Sequence, residues 1–417
     1  MALLRDAHTL EGRVSARDVA TAHQADLATQ GAARRGGGQQ PEMTPKRGRK
    51  RSTVTTLRDS PRRVFVHIGL PKTGTMFLQA SLEDNRTALE KAGLLYPSVQ
   101  DGMFLAALDV RGTYDGWGRR ASETRGAWER LCQRTRAFDG DTLISHELFA
   151  AAPIERVESA LDRLADSEVH VVVTTRDLAR QAVAEWQESV KHGRRLSFTT
   201  FTSKVLASDA DGAHAQRFRA SQDLIGVLQR WSGSVPPERL HIVTCPPVGA
   251  SPGVLWQRFA DAVRIDTRHF GHRDEGLNRS LGRYEVDLLR RVNRALDGRI
   301  AQPSYSQVVK ELFAEQVLAV DPSPRPTLPA DLYPEMTHAG ERWIKEIDAA
   351  GYTVHGDLDD LLPRPPAGDL AHPDQVDHSA ELTHRRTRLR GPAGGVHPAR
   401  GRQRTSATQA PPSASQA

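Results

Sequence analysis

Between residues 64 and 263 short, continuously apolar runs alternate with stretches whose apolar residues recur every three or four positions. Residues 64–68 (VFVHI), 142–145 (TLIS), 169–175 (VHVVVTT) and Leu240–Thr244 (LHIVT) are short and mostly apolar, with frequent β-branched side chains, which is strand character. Helical periodicity comes after them: over Thr75–Lys91, closed by Gly93; over 154–164, with Ile154, Val157, Leu161 and Leu164 in phase; from Leu178 through Ala182, Trp186 and Val190; and over 254–263. Strands that are apolar along their whole length must be buried on both faces. The alternation therefore predicts an α/β domain whose central parallel sheet is flanked by helices. Such sheets bind ligands beyond the C-terminal ends of their strands. From about residue 284 only helical patterns remain, over 284–296, 304–317 and 340–350. No repeat and no separate second core is expected in this helical C-terminal part, which should pack on the sheet or form a lid.

Composition changes this picture at the ends. Residues 1–60 lack sustained apolar periodicity and include GAARRGGGQQ and the basic run KRGRKR at 46–51. They read as a disordered basic tail, with a polyanion-binding arm as the alternative, and Met43 is a possible start. Residues 363–417, rich in Pro, Ala, Arg, Ser and His, read as a second disordered tail, leaving 61–362 as the folded domain. The chain is net +6 with a pI near 9.5, which taken whole would suggest a nucleic-acid partner. Yet residues 1–63 carry +7 and 363–417 carry +4, so 64–362 is net −5 and no nucleic acid is expected on the core. Cys132 and Cys245 are the only cysteines, too few for a disulfide framework or a Cys-rich zinc site. Among the 16 histidines none pairs at ligand spacing, so no metal is expected. The uncharged run 240–257 is broken by Pro246, Pro247 and Pro252, and Arg5 and Asp6 interrupt the apolar start; a cytoplasmic protein off the membrane is expected.

The candidate chemistry lies directly after the first strand, in GLPKTGT at 69–75. A strand feeding a Gly-rich turn and then a helix points successive backbone N–H groups inward and adds the positive end of the helix dipole. Lys72 adds a full charge, and Thr73 and Thr75 add hydroxyls, so the turn suits a phosphate or sulfate group; otherwise it is an ordinary strand-to-helix turn. It is not the G-x-x-x-x-G-K-[ST] nucleotide loop, because Lys72 precedes Gly74 rather than following it. HIGLPKTGTMFLQ resembles instead the 5′-phosphosulfate loop, P-K-[ST]-G-[ST]-[ST], of the bacterial branch of the sulfotransferases that use 3′-phosphoadenosine 5′-phosphosulfate (PAPS). The resemblance implies the P-loop NTPase-like sulfotransferase fold, with PAPS as co-substrate held by Pro71, Lys72, Thr73, Gly74, Thr75 and Met76. Met76 departs from the pattern, which has a hydroxyl residue there.

The resemblance also implies an Arg ending a core strand and a Ser eight residues on, both holding the 3′-phosphate. Arg176 ends the strand VHVVVTT; the Ser position falls on Ala184, and Ser189 lies too far along to replace it. Arg180 or Gln187 could compensate. The lesser reading of Arg176 is a surface or ion-paired residue, and its place on the same sheet edge as Lys72 favours the phosphate. Asp177 suits a helix cap and Trp186 a core position better than adenine stacking. Sulfuryl transfer needs a group to take the acceptor proton, and the second strand ends in LISHELF, where His146 resembles the catalytic His that cytosolic sulfotransferases carry just after the equivalent strand and Glu147 is its rival, other branches using a Glu. Adjacent strand-end residues point oppositely, so one of the two should face the acceptor. His67, inside a strand, reads as a satisfied core residue or as one that supports the site from behind. In GLNRSLGRYE, Asn278 or Ser280 could cap the next helix, and Asn278 or Arg279 could touch the nucleotide.

The implied reaction is in-line transfer to a hydroxyl or amine acceptor deprotonated by His146 or Glu147. Lys72 and the loop N–H groups stabilise the leaving phosphate and Arg176 holds the 3′-phosphate. The alternatives are a non-catalytic nucleotide- or anion-binding protein of the same fold, and a P-loop phosphotransferase (kinase), which would need Lys after the second Gly and a magnesium-binding Asp. The partners are then a small nucleotide and an unidentified acceptor, the latter bound by segments 100–130, 192–220 and beyond 284.

Overall fold

Four of the apolar runs form the middle of one sheet: β1 (Arg63–His67), β3 (Asp141–Ser145), β4 (Glu168–Thr175) and β5 (Leu240–Thr244). Two short strands complete it at the edges, β2 (Leu94–Leu95) and β6 (Thr353–His355). All pairings are parallel and the order is β2-β3-β1-β4-β5-β6. The computed structural model describes residues 61–98, 102–114, 117–207, 209–273, 280–320, 322–366, 372–377 and 379. The basic run at 46–51, the rest of the segment 1–60, and Asn278 and Arg279 lie outside the described residues.

Both faces of the sheet are covered. Val64, Val66, Leu143, Ile144, Val171, Val172, Val173, Ile242 and Val243 are wholly buried, under helices α1 (Thr75–Lys91), α2 (Phe104–Arg111), α3 (Ala127–Ala137), α4 (Ile154–Asp162), α5 (Leu178–Lys191), α7 (Leu224–Trp231) and α8 (Pro252–Ala262) and Trp343 and Ile347 from later in the chain, while α6 (Ala213–Gln222) lies against α7. Among the described residues no helix is long and apolar enough to cross a membrane.

The chain runs from β1 outward to β2 and back to β3 on one side, then crosses to β4, β5 and β6 on the other. The winding reverses between β1 and β4, and the crevice beyond their C-terminal ends is the topological switch point where open α/β sheets take ligands. The GLPKTGT turn occupies that point.

The C-terminal part is helical, with α9 (Arg283–Leu296), a π-type helix Ser306–Leu318, and α10 (Tyr333–Ala350). Contrary to the expectation of a single core, these elements enclose a second one. Ala179, Val183, Trp186 and Val190 of α5 pack with Phe198, Phe201, Val205, Leu281, Val286, Leu289, Tyr305, Val309 and Leu318. The cause is the direction of the α5 apolar stripe, which faces the C-terminal helices. Trp186 is core, as expected, its Nε1 donating to Leu196 O at 3.0 Å. Within the segment read as a C-terminal tail, Asp374 lies against this second core, accepting from the Phe198 and Thr199 N–H groups at 2.8 and 2.9 Å and pairing with Arg290 at 3.0 Å. Ser280 does not cap α9; Gly282 holds the cap position, and Ser323 Oγ accepts the Tyr284 N–H at 3.0 Å.

Three histidines tie the far strands together: His170 Nδ1 lies 2.9 Å from His241 Nε2, and His241 Nδ1 lies 3.0 Å from His355 Nε2.

Candidate functional site

The turn after β1 runs through left-handed backbone at Gly69, Lys72 and Gly74. Gly74, at the N-cap of α1, has φ +88°, which favours glycine, and a Cβ there would meet the tip of the Leu255 side chain at 2.5 Å and oblige it to move. Lys72 has φ +65°, a left-handed conformation uncommon for a residue with a Cβ. The backbone N–H groups of residues 72–77 make no hydrogen bond within the protein among the described residues. They are the free donors that a helix start and a folded turn leave over.

Beneath the turn runs a chain of buried hydroxyls and one imidazole. Ser145 Oγ lies 2.8 Å from His67 Nδ1, His67 Nε2 lies 3.1 Å from Thr174 Oγ1, and Thr174 Oγ1 lies 2.6 Å from Thr73 Oγ1. Thr73 Oγ1 ends the chain by donating to Leu70 O at 2.5 Å. Because that last acceptor is a carbonyl, every proton has one consistent place: Thr174 donates to Thr73, His67 Nε2–H to Thr174, and Ser145 to His67 Nδ1. The chain joins β3, β1 and β4 to the turn and needs a neutral imidazole. Burial, helped by His146, brings His67 down to about 3. His67 is thus a satisfied core residue, as expected. Thr73 spends its hydroxyl inward, so it offers a ligand its backbone N–H rather than its side chain.

Lys72 stands at the rim of the turn, its Nζ 2.6 Å from Glu188 Oε2. Glu188 Oε1 accepts from Lys310 at 2.7 Å, and His192 is 3.1 Å from it. Burial opposes the Lys72 charge, but Glu188, with Glu185 and Glu147, holds its pKa above the ordinary value. Burial likewise opposes the Glu188 charge, and His192, Lys72, Lys310 and Lys191 together hold it far below the usual carboxylate range. Glu185, close by, is pushed up to about 7, by burial first; Lys72 opposes this, and Glu188 and Glu147 add to it. Lys72, the cation expected to meet a phosphate, is therefore already paired, beside a cluster of three carboxylates.

Arg176 emerges from the end of β4 beside the turn. Its Nε donates to Gln181 Oε1 at 2.7 Å and its Nη2 to Arg180 O at 3.1 Å. Burial pulls it down to about 10, so it stays charged at neutral pH. Gln181 Nε2 donates in turn to Pro71 O and to Gln222, and Gln222 Nε2 to Glu185 at 2.7 Å. Arg176 and the Lys72 turn are thus two ends of one buried amide relay.

Asp177 caps α5 as expected, accepting from Arg180 N at 2.9 Å. Neither residue named as compensating for Ala184 is free. Arg180 pairs with Asp177 and donates to Pro246 O at 2.9 Å, and Gln187 donates to Leu281 O at 3.1 Å. Ala184 is half-buried and Ser189 Oγ donates to Trp186 O at 2.7 Å. Met76 is exposed at the start of α1.

His146 and Glu147 diverge, as adjacent residues at a strand end should. His146 packs its ring 5.6 Å from Phe104 and accepts the Leu148 N–H on Nδ1 at 3.2 Å. Burial lowers it to about 4, so at neutral pH its single proton is on Nε2 and its one open lone pair is in use. Glu147 faces the other way, to the turn, where Thr75 hydrogen-bonds it and the Lys72 charge reaches it. Burial nonetheless raises its pKa.

Sequence reasoning did not single out Glu185, Glu188, Gln181, Gln222 or Lys310. Residues 181, 185 and 188 recur at helical spacing behind Arg176, a polar stripe legible in the sequence. Gln222 and Lys310 arrive from distant elements with no local signal. No family model matches this chain, and no curated protein matches it.

Proposed function

We propose that the protein is a PAPS-dependent sulfotransferase. One observation carries this reading. A turn with free N–H groups and a lysine at its centre lies at the switch point of a parallel sheet, and the adjacent strand ends in an arginine wired to that turn through Gln181. Two anion sites on neighbouring strand ends suit a nucleotide phosphorylated at both its 5′ and 3′ positions. The turn and Lys72 would hold the 5′-phosphosulfate and Arg176 the 3′-phosphate. PAPS supplies an activated sulfuryl group.

The chain's own residues divide the remaining work. Glu147 faces the turn with a raised pKa, keeps acceptor sites beyond the one that Thr75 occupies, and takes the acceptor proton. His146, with Nδ1 occupied by the Leu148 N–H, borders the acceptor with Phe104 instead. Glu188 must give up Lys72 when an anion enters, and the anion is then held by Lys72 with Lys310 beside it. Preorganised donors aimed at a leaving phosphate are the largest single contribution that such a site can make.

The test is labelled sulfuryl transfer from PAPS to a broad panel of hydroxyl and amine acceptors, run beside magnesium-dependent ATP hydrolysis. Transfer without ATP turnover is expected; clear ATP turnover would establish the phosphotransferase alternative instead. A second reading, a binder that does not catalyse, is favoured by the Lys72–Glu188 pair and by Met76 and Ala184. Binding of adenosine 3′,5′-bisphosphate with no transfer to any acceptor would select it.

A further inference from the structure

Three imidazoles and a carboxylate form a line across β4, β5 and β6 that the proposed chemistry does not use. His241 on β5 has Val172 as its register partner on β4 and Thr353 on β6, so His170 and His355 lie diagonal to it on the same face of the sheet. Glu168 Oε1 lies 2.9 Å from His170 Nε2, His170 Nδ1 2.9 Å from His241 Nε2, and His241 Nδ1 3.0 Å from His355 Nε2. Neighbouring ring centroids are 5.2 Å apart, the spacing of an in-line N–H···N bond rather than of rings packed face to face. His241 turns one nitrogen to each neighbour, so the rings converge on no common point where a cation would sit. His170 and His241 are buried and His355 is half-buried.

The carboxylate sets the direction of every bond. Glu168 accepts, so His170 donates from Nε2 and accepts on Nδ1; His241 then donates from Nε2 and accepts on Nδ1, and His355 donates from Nε2. All three rings are neutral in this arrangement, and the open lone pair is Nδ1 of His355. One proton fits there without the loss of a bond; a further one sets two N–H donors face to face. Burial lowers the pKa of all three, that of His241 to about 3. The charges that face them are mixed. Glu168, itself 3.4 Å from Arg239, favours a charged His170, and Asp261 of α8 favours a charged His355. Arg264 and Arg239 oppose charge on His170, and Arg264 opposes it on His241.

β6 is the edge of the sheet, three residues long, and follows α10, which packs on α5 and α7. Beyond backbone pairing with β5, its side chains make two hydrogen bonds among the described residues, Thr353 Oγ1 to Glu238 O at 3.1 Å and His355 to His241. We propose that the ladder is an acid-sensitive clasp on this edge: neutral imidazoles lock β6 to β5, and the protons that His241 and His355 take on separation hold it open. A histidine held below its ordinary 6.5 in the closed form contributes stability that is complete above pH 6.5 and is lost as the pH falls, because the open form binds more protons. One proton taken only in the open form raises the open population about thirtyfold between pH 7.5 and 5, and a second multiplies that. The clasp is independent of the sulfotransferase reading.

The test is hydrogen exchange of the full chain at about pH 7.5 and pH 5, corrected for intrinsic exchange and read by mass spectrometry, with the peptide over 353–357 compared with one over 141–145 in β3. In the wild type, protection of the β6 peptide should fall at least about thirtyfold more than that of the β3 peptide. His355→Gln keeps a donor for His241 but does not titrate. It should hold near wild-type protection at pH 7.5 and show an excess fall smaller by about fivefold or more. His241→Phe removes the ladder, and the two peptides should then fall alike. Equal falls in the wild type, or an undiminished excess fall in either variant, would overturn the clasp. His355 is half-buried on the edge strand, so its variant tests the clasp even where His241→Phe does not fold.

Discussion

Replacing His67 by Leu tests the buried chain that supports the Lys72 turn. The substitution removes the partner of Ser145 Oγ at 2.8 Å and of Thr174 Oγ1 at 3.1 Å, both wholly buried. Thr174 keeps Thr73 and Ser145 keeps a weak contact with Gln79 at 3.4 Å, so the loss is partial at each. With roughly 1–3 kcal/mol for a buried group left unpaired, the variant should be about 2–3 kcal/mol less stable at pH 7.5. The pH dependence is more diagnostic. His67 falls to about 3 in the folded protein from 6.5. Its contribution is therefore complete above pH 6.5 and is lost as the pH falls toward 3, because the unfolded chain takes a proton that the folded one refuses. At about 1.4 kcal/mol per pH unit, the wild type loses about 2 kcal/mol through His67 between pH 6.5 and 5, and the Leu variant loses none of this. Urea unfolding followed by tryptophan fluorescence should thus show a stability gap that is wide at pH 7.5 and nearly closed at pH 5. A gap of constant width across that range would refute the assignment of a neutral, doubly bonded His67.

Three further outcomes are expected. Glu188→Gln frees Lys72 and Lys310 from a competing carboxylate and should tighten adenosine 3′,5′-bisphosphate by about fivefold, the worth of a partly exposed ion pair; weaker binding would show that Glu188 organises the lysines rather than competes for them. Glu147→Gln should lower single-turnover transfer by roughly 10²–10³-fold and abolish the acid limb of its pH profile, whereas His146→Ala should cost less than tenfold; the reverse order would make His146 the base. Gly74→Ala forces a Cβ to 2.5 Å from Leu255 at φ +88° and should destabilise the protein by about 1–3 kcal/mol and weaken nucleotide binding, as measured by denaturation and calorimetry.

The four central strands were legible because burial on both faces leaves an uninterrupted apolar run. The two edge strands were not, since Leu94–Leu95 and Thr353–His355 are too short to carry a pattern. That Lys72, Arg176 and Glu147 gather at one edge of the sheet was legible because parallel strands bring the residues that follow them to the same edge. The second core was missed because its cover, Phe198, Phe201 and Val205, lies in one short helix and a wide turn without regular periodicity. The carboxylates on α5 were visible as a stripe but had no stated partner until the fold set them against Lys72. The His170–His241–His355 ladder is a property of strand register, which no single strand encodes.

The central claim is that one nucleotide bridges the Lys72 turn and Arg176, and it is met most directly by titrating adenosine 3′,5′-bisphosphate and adenosine 5′-phosphate into the wild type and Arg176→Ala. The wild type should prefer the bisphosphate, and the variant should lose roughly ten- to a hundredfold in affinity for it, the worth of a charge-assisted hydrogen-bond pair, while adenosine 5′-phosphate changes little. Equal loss for both nucleotides, or no preference in the wild type, would contradict it.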